Sequence, residues 1–165
     1  EVTFGDIVMH VEGSSQSILK AERTVLNAMQ RMSAIATKTK TFVDLLKGTN
    51  TKILDTRKTT PGIRVLEKWA VKLGGGENHR FALYDMIMLK DNHIDFAGGI
   101  TKAIEMTKAY LKETGKNLDI MVEARDLTEV EEILKTHYCD LVQGYYYKKP
   151  TEFNEYIAWL SQQPK

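Results

Sequence analysis

The chain has 165 residues, of which 42% are hydrophobic and 27% are charged, and its formal net charge is +1. This length is enough for one ordinary domain with its own apolar core, so folding requires neither a metal nor a disulfide. The near-neutral charge argues against a general nucleic-acid binder, which normally carries a broad basic face. No apolar run approaches the roughly 20 residues of a membrane span. The single cysteine, Cys139, indicates a reducing, cytoplasmic setting.

The first predicted elements are short strands followed by a long helix. Residues 1–13 predict one or two short strands. Apolar residues then recur at intervals of three and four over residues 17–46, which predicts an amphipathic helix that residues 33–37 could divide in two. Gly48 is the predicted stop signal.

After Gly48, compact apolar segments alternate with helical stretches. Four short strands are predicted at residues 52–54, 86–89, 120–122 and 140–142. Four helices are predicted at residues 63–73, 99–113, 128–135 and 152–160. This alternation is typical of parallel strands joined by right-handed crossovers, so the expected fold class is α/β.

Charged residues follow the predicted strands. Parallel α/β proteins bind ligands at the carboxyl ends of their strands, so Asp55, Lys90 and Glu123 are expected on one rim. Arg57 and Lys58 directly follow the first strand, where an arginine can bind a carboxylate or phosphate at two points and a lysine adds a point charge. Threonine and glycine follow at a helix start, which favours an anion site over a solvated turn.

A second cationic segment follows the glycine run at residues 74–76. The run alone is weak, because glycine runs are usually flexible connectors. Arg80 brings a second guanidinium and strengthens the case for its neighbour His79 as a ligand. Lys90 either reaches solvent or points into a site. The histidine spacing matches no zinc pattern, so a structural zinc is rejected.

Glu123 and the aromatic residues near the end of the chain leave alternatives open. Glu123 either pairs with Arg80 or Arg125, or accepts hydrogen bonds from ribose hydroxyls, or ligates Mg²⁺. The three tyrosines at residues 145–147 and Trp159 are interpreted as core and rim packing.

Several ordered motifs resemble the quinolinate phosphoribosyltransferase family over about residues 1–134. They are AERTVLN at 21–27, SAIAT at 33–37, ILDTRKTTPG at 53–62, GGGENHR at 74–80, LYDM at 83–86 and KDNHI at 90–94. The resemblance implies transfer of phosphoribose from phosphoribosyl pyrophosphate to quinolinate, with Mg²⁺. The implied products are nicotinate mononucleotide for NAD synthesis, pyrophosphate and CO₂. It also implies that residues 1–48 are the remnant of an N-terminal domain plus a helical linker, and that residues 49–165 form a partial parallel (β/α) barrel with about four strands.

The same resemblance implies roles for the cationic residues. Arg57, His79 and Arg80 would bind the carboxylates of quinolinate. Lys58 and Lys90 would be catalytic residues that reach substrate or pyrophosphate oxygens. Because pyrophosphate departs as charge develops, cations preorganised in a dry site would stabilise the transition state.

Arg23 and Glu123 complete the residues that the resemblance implies. Arg23 would enter the site of a neighbouring subunit, and Glu123 would be a catalytic residue that holds the ribose and Mg²⁺. Four strands cannot close a parallel barrel and leave edges exposed, so we expect a homo-oligomer. No nucleic-acid or membrane partner is expected.

The end of the chain has a second resemblance. The segment CDLVQGYYYKKP at residues 139–150 and the helix after it are similar to the last strand and helix of EAL cyclic-diguanylate phosphodiesterases. We therefore hypothesise a chimera with an EAL-like closing segment from about residue 136. The EAL metal site is missing, so phosphodiesterase activity is not expected. The alternatives are a non-catalytic barrel fragment that binds anions and, less favoured, a cyclic-diguanylate binder.

Overall fold

The computed structural model describes residues 1–163 as a mixed α/β protein. The chain divides into two compact units, the first from Glu1 to His79 and the second from Arg80 onward. The boundary expected near residue 48 lies inside the first unit. None of the helices in residues 1–163 combines the length and the apolar character needed to cross a bilayer.

The first unit contains two helices that pack on each other, α1 (Ser15–Leu45) and α2 (Arg64–Leu73). The predicted long helix is confirmed, but the break considered at residues 33–37 is wrong. Within that stretch the Thr37 carbonyl accepts the Thr41 hydroxyl at 3.1 Å, so these polar residues are accommodated inside a continuous helix. The helix ends at Leu45, before Gly48 is reached.

The strands predicted at residues 1–13 are absent, since this part of the structure has no ladder partner. The apolar side chains there are exposed, which shows that an apolar pattern without a pairing strand does not make a sheet. The strand predicted at residues 52–54 is reduced to one parallel bridge between Leu54 and Glu77. Two backbone hydrogen bonds accompany it, from Glu77 N to Ile53 O at 2.8 Å and from Asp55 N to Glu77 O at 3.1 Å.

The second unit is built around a parallel sheet. In chain order its elements are β1 (Ile87–Leu89), α3 (Asp91–Ala97), α4 (Ile100–Thr114), β2 (Ile120–Ala124), α5 (Leu127–Thr136), β3 (Leu141–Gly144) and α6 (Phe153–Leu160). The strand order is β1-β2-β3, and both pairings are parallel. The predicted parallel α/β arrangement is confirmed. The expectation of four strands is wrong for residues 1–163, where three are present.

The core of the second unit lies between the sheet and the helices α4 and α5. Val122 of β2, Ile104 of α4 and Ile133 of α5 are almost fully buried there. The register pairs Leu89 with Val122 and Glu123 with Gln143, which sets the side chains at the strand ends next to each other.

Candidate anion-binding site

Asp55 lies at the centre of a buried polar network in the first unit. Lys68 Nζ of α2 is 2.5 Å from Asp55 Oδ1, and the side chains are 2% and 8% exposed. The His79 N–H donates to the same oxygen at 2.9 Å. The Asn78 amide, with its nitrogen turned toward these acceptors, donates to Asp55 Oδ2 and to Lys68 O, both at 2.9 Å. Asp55 therefore holds protein groups instead of presenting its carboxylate on an open rim.

Glu67, the neighbour of Lys68 on α2, makes a second network. Its carboxylate accepts the Thr60 N–H at 3.0 Å and the Thr60 hydroxyl at 2.8 Å. Arg31 of α1 donates through Nε at 2.8 Å. Burial of Glu67 would raise the pKa, but the hydrogen bonds from Thr60 and Arg31 outweigh burial and lower it below the ordinary value of 4.5. The segment that begins at Arg57 is thereby fixed to both helices.

Arg57 has an unsatisfied group in this fixed segment. Its Nε is buried and has no hydrogen-bond partner among the described residues. Its carbonyl accepts Arg64 Nη2 at 3.3 Å, and Arg64 Nε donates to Thr59 Oγ1 at 2.9 Å, so the backbone at Arg57 is held in place. Lys58 is exposed. A buried donor without an acceptor costs free energy of folding, and a bound anion would supply the missing acceptor.

The glycine run ahead of His79 is closely packed. A Cβ at Gly74 would lie 2.5 Å from Ala36 O and 2.6 Å from Thr39 Cβ, so α1 approaches the backbone too closely for any other residue. The run therefore has a structural role that a flexible connector would not have. Its packing instead fixes the chain that leads to His79, which is itself partly buried.

Lys90 and Glu123 meet at the strand ends of the second unit. Lys90 Nζ is 3.9 Å from Glu123 Oε2, with side chains that are 47% and 40% exposed. His93 Nδ1 accepts the Lys90 N–H at 3.0 Å at the start of α3, so the residues after Lys90 orient its backbone. Glu123 pairs with Lys90, whereas Arg125 pairs with Asp95 and Glu129.

Other predicted residues lie elsewhere on the two units. Arg23 is exposed on α1 and makes no hydrogen bond or ion pair within the described residues. Arg80 is partly buried in the second unit. The tyrosines at residues 145–147 are 50% to 59% exposed, so they are not core residues, and of the two predicted kinds of packing only rim packing is consistent with their exposure.

The described residues offer a magnesium ion few ligands. Residues 1–163 contain no group of three or more His, Cys, Asp or Glu side chains that could hold a metal. Glu123, with Gln143 beside it on β3, supplies one carboxylate. Mg²⁺ often takes one or two carboxylates together with substrate phosphates, so this position suits a metal that arrives with a phosphorylated substrate.

Sequence analysis did not identify Lys68, Glu67 or Arg31 as site residues. A lysine or glutamate in the middle of an amphipathic helix is usually solvated, and nothing local distinguishes these from their neighbours. Glu67 and Lys68 are buried on α2, which packs on α1, whereas Arg31 reaches Glu67 from an exposed position on α1.

Comparison with known families supports the motif resemblance. Residues 35–163 match the family described as "Quinolinate phosphoribosyl transferase, C-terminal domain", and residues 1–33 match "Quinolinate phosphoribosyl transferase, N-terminal domain". The match to the C-terminal domain includes the segment that resembles EAL proteins. That second resemblance therefore stays an unconfirmed prediction.

Individual relatives agree with the family match. The chain is 51% identical over 125 residues to the chloroplastic nicotinate-nucleotide pyrophosphorylase (carboxylating) of Arabidopsis thaliana, covering 76% of this chain and 35% of that protein. It is 45% identical over 130 residues to the probable nicotinate-nucleotide pyrophosphorylase (carboxylating) of Bacillus subtilis, covering 79% and 44%. The crystal structure of NadC from Streptococcus pyogenes matches with a TM-score of 0.78 and 38% identity, over 98% of this chain and 55% of that one. The chain thus spans less than half of these two curated relatives.

Proposed function

This chain belongs to the quinolinate phosphoribosyl transferase family, and we propose that it acts in the transfer of phosphoribose from phosphoribosyl pyrophosphate to quinolinate. The products would be nicotinate mononucleotide for NAD synthesis, pyrophosphate and CO₂. The observation that carries the proposal is Arg57, whose buried Nε lacks an acceptor on a segment that two networks hold rigid. A substrate with two carboxylates would supply that acceptor.

The proposed roles follow the motifs. Arg57, His79 and Arg80 bind quinolinate carboxylates, and Lys58 supplies an exposed ammonium for substrate oxygens. Lys90 neutralises charge on the departing pyrophosphate. Fixed cations stabilise that leaving group without having to reorganise as the charge develops.

Glu123 is proposed to hold the ribose hydroxyls and, together with the phosphate oxygens of the substrate, Mg²⁺. The metal would neutralise the pyrophosphate as it departs. The pairing of Glu123 with Lys90 is partly exposed, so either side chain can turn to a ligand at small cost.

We further propose that the second unit is part of a parallel barrel and that the chain self-associates. A three-stranded parallel sheet leaves backbone groups unpaired along β1 and β3. Arg23, exposed on α1, would then reach the site of a neighbouring subunit. Sedimentation velocity is expected to show a species larger than a monomer, and a monomer at high concentration would contradict the proposal. The cytoplasmic setting stays a prediction.

A second candidate function is anion binding without turnover. The observation that favours it is that residues 1–163 contain no group of three or more His, Cys, Asp or Glu side chains that could hold a metal. In that case the chain would bind quinolinate or pyrophosphate and form no product. No contact within the described residues favours a cyclic-diguanylate site, so we do not propose one.

A single-turnover assay separates the two functions. The chain is mixed in excess with quinolinate, phosphoribosyl pyrophosphate and Mg²⁺, and nicotinate mononucleotide is measured. Product that disappears in Arg57→Ala and persists in Lys52→Ala, an exposed lysine of the same unit, would support the enzyme. Absence of product from the unaltered chain would overturn the enzymatic proposal, and calorimetry with quinolinate would then test anion binding.

A further inference from the structure

We infer that Lys68 is a positioning residue that acts through Asp55. It holds the backbone at His79 against the segment that carries Arg57 and Lys58. The inference rests on the proposed function, because it concerns two segments that are proposed to bind quinolinate. It adds a residue that makes no contact with substrate in that proposal.

The backbone alone joins these segments weakly. One parallel bridge, Leu54 to Glu77, connects them within residues 1–79. The two segments leave the bridge in the same direction, and beyond it side-chain hydrogen bonds connect them. Asp55 then accepts the N–H of His79 at 2.9 Å, and Lys68 Nζ donates to the carbonyl of His79 at 3.4 Å. Both polar groups of the His79 backbone are therefore held by one ion pair.

Because it is buried, this ion pair adds little to the free energy of unfolding, but it fixes the orientation of the groups that it binds. Lys68 and Asp55 are 2% and 8% exposed, and removing two charges from water costs most of what their attraction returns. An apolar pair of similar volume would fill the same space but could not hold the His79 backbone. The exposed pair between Lys72, on the same helix as Lys68, and Glu77, at 3.9 Å, provides the matched comparison.

The chemistry of quinolinate makes this alignment important. Its two carboxylates stand on adjacent ring carbons, so the groups that bind them must keep a fixed separation. Displacement of a positioned group by about 1 Å can cost around 100-fold in rate, and binding that depends on two points suffers in the same way. Loss of Lys68 should therefore weaken the binding of quinolinate more than the binding of pyrophosphate, because pyrophosphate binding is assigned mainly to Lys90.

The experiment compares three variants by calorimetry, thermal unfolding and hydrogen exchange. Lys68→Met removes the ammonium, Lys68→Met with Asp55→Leu replaces both charges by apolar groups, and Lys72→Met is the control. We expect Lys68→Met to weaken the affinity for quinolinate about 10- to 100-fold and to leave the affinity for pyrophosphate nearly unchanged. The double variant should recover the midpoint temperature lost in Lys68→Met without recovering quinolinate affinity. Exchange at residues 77–80 should rise in both, and Lys72→Met should resemble the unaltered chain.

Two results would overturn the inference. One is wild-type quinolinate affinity in the double variant, and the other is unchanged hydrogen exchange at residues 77–80 in Lys68→Met. A third result concerns the proposed function separately. If the unaltered chain binds no quinolinate, the proposed function fails, and the exchange data alone decide whether Lys68 holds the His79 backbone.

Discussion

Lys90 Nζ lies 3.9 Å from Glu123 Oε2 at the carboxyl ends of two neighbouring parallel strands. The register brings them together, because Leu89 pairs with Val122 and each charged residue comes next in its strand or just after it. Both side chains are partly exposed, so the pair adds little stability. It is better suited to meeting a ligand, since neither charge is committed to the core.

Replacing Lys90 by alanine tests the cation at this edge. Under the proposed function, Lys90→Ala should lower the rate of nicotinate mononucleotide formation by roughly 100-fold, the usual cost of removing one preorganised group that stabilises developing negative charge. Lys135→Ala, an exposed lysine of α5, should have no such effect. Equal rates in the two variants would remove Lys90 from the proposed site.

Replacing Glu123 by glutamine tests the carboxylate separately from the lysine. Glu123→Gln keeps the shape but removes the charge, so it should weaken the dependence of turnover on Mg²⁺ and lower the rate by about 10-fold or more. Affinity for pyrophosphate should be retained or increased, because Lys90 loses its counter-charge. A Mg²⁺ titration that coincides with that of the unaltered chain would contradict the role given to Glu123.

The guanidinium of Arg57 should not be replaceable by an ammonium. Arg57→Lys keeps the charge but loses the planar set of donors, so quinolinate affinity should fall about 10-fold. Arg57→Ala should lower the affinity for quinolinate further. Lys58→Arg, which keeps a cation at an exposed position, serves as the comparison in the same calorimetric titration. Unaltered affinity in Arg57→Lys would show that charge alone is sufficient there.

The contact between Lys90 and Glu123 at the strand ends is the part of the site that could be predicted from sequence. A charged residue after an apolar strand has a defined place in a parallel sheet, because the carboxyl ends of the strands lie on one edge. Periodicity likewise identified α2, α4 and α5 to within a residue or two of their observed bounds. These features depend on local pattern.

The parts that could not be predicted depend on pairing and burial at a distance. Residues 52–54 have the apolar character of a strand, yet one bridge with Glu77 is all that forms. Lys68 looks like a solvated helix residue until Asp55 is placed beside it. The short helix α3 is absent from the predicted helices, and in the structure His93 accepts the Lys90 N–H and stabilises its first turn.

The Glu67 network makes the stability of the first unit depend on pH. Its hydrogen bonds with Thr60 and Arg31 lower the pKa of Glu67 in the folded chain below the ordinary value of 4.5. The stabilisation is therefore complete above that value and is lost as the pH falls through the folded-state pKa. Glu67→Gln should lower the midpoint temperature at pH 7 and flatten its fall in acid. Glu22→Gln, exposed on α1, should leave the whole pH profile unchanged.

Gly144 is required by the close approach of β3 to β2. Ala124 and Gly144 are register partners, and a Cβ at Gly144 would lie 1.9 Å from Ala124 O, which is far inside contact distance. Gly144→Ala must therefore push the strands apart and should destabilise the second unit by about 1–3 kcal/mol in denaturant unfolding. Gln143→Ala, one residue earlier, should cost much less. A Gly144→Ala variant with native stability would show that the two strands can separate freely.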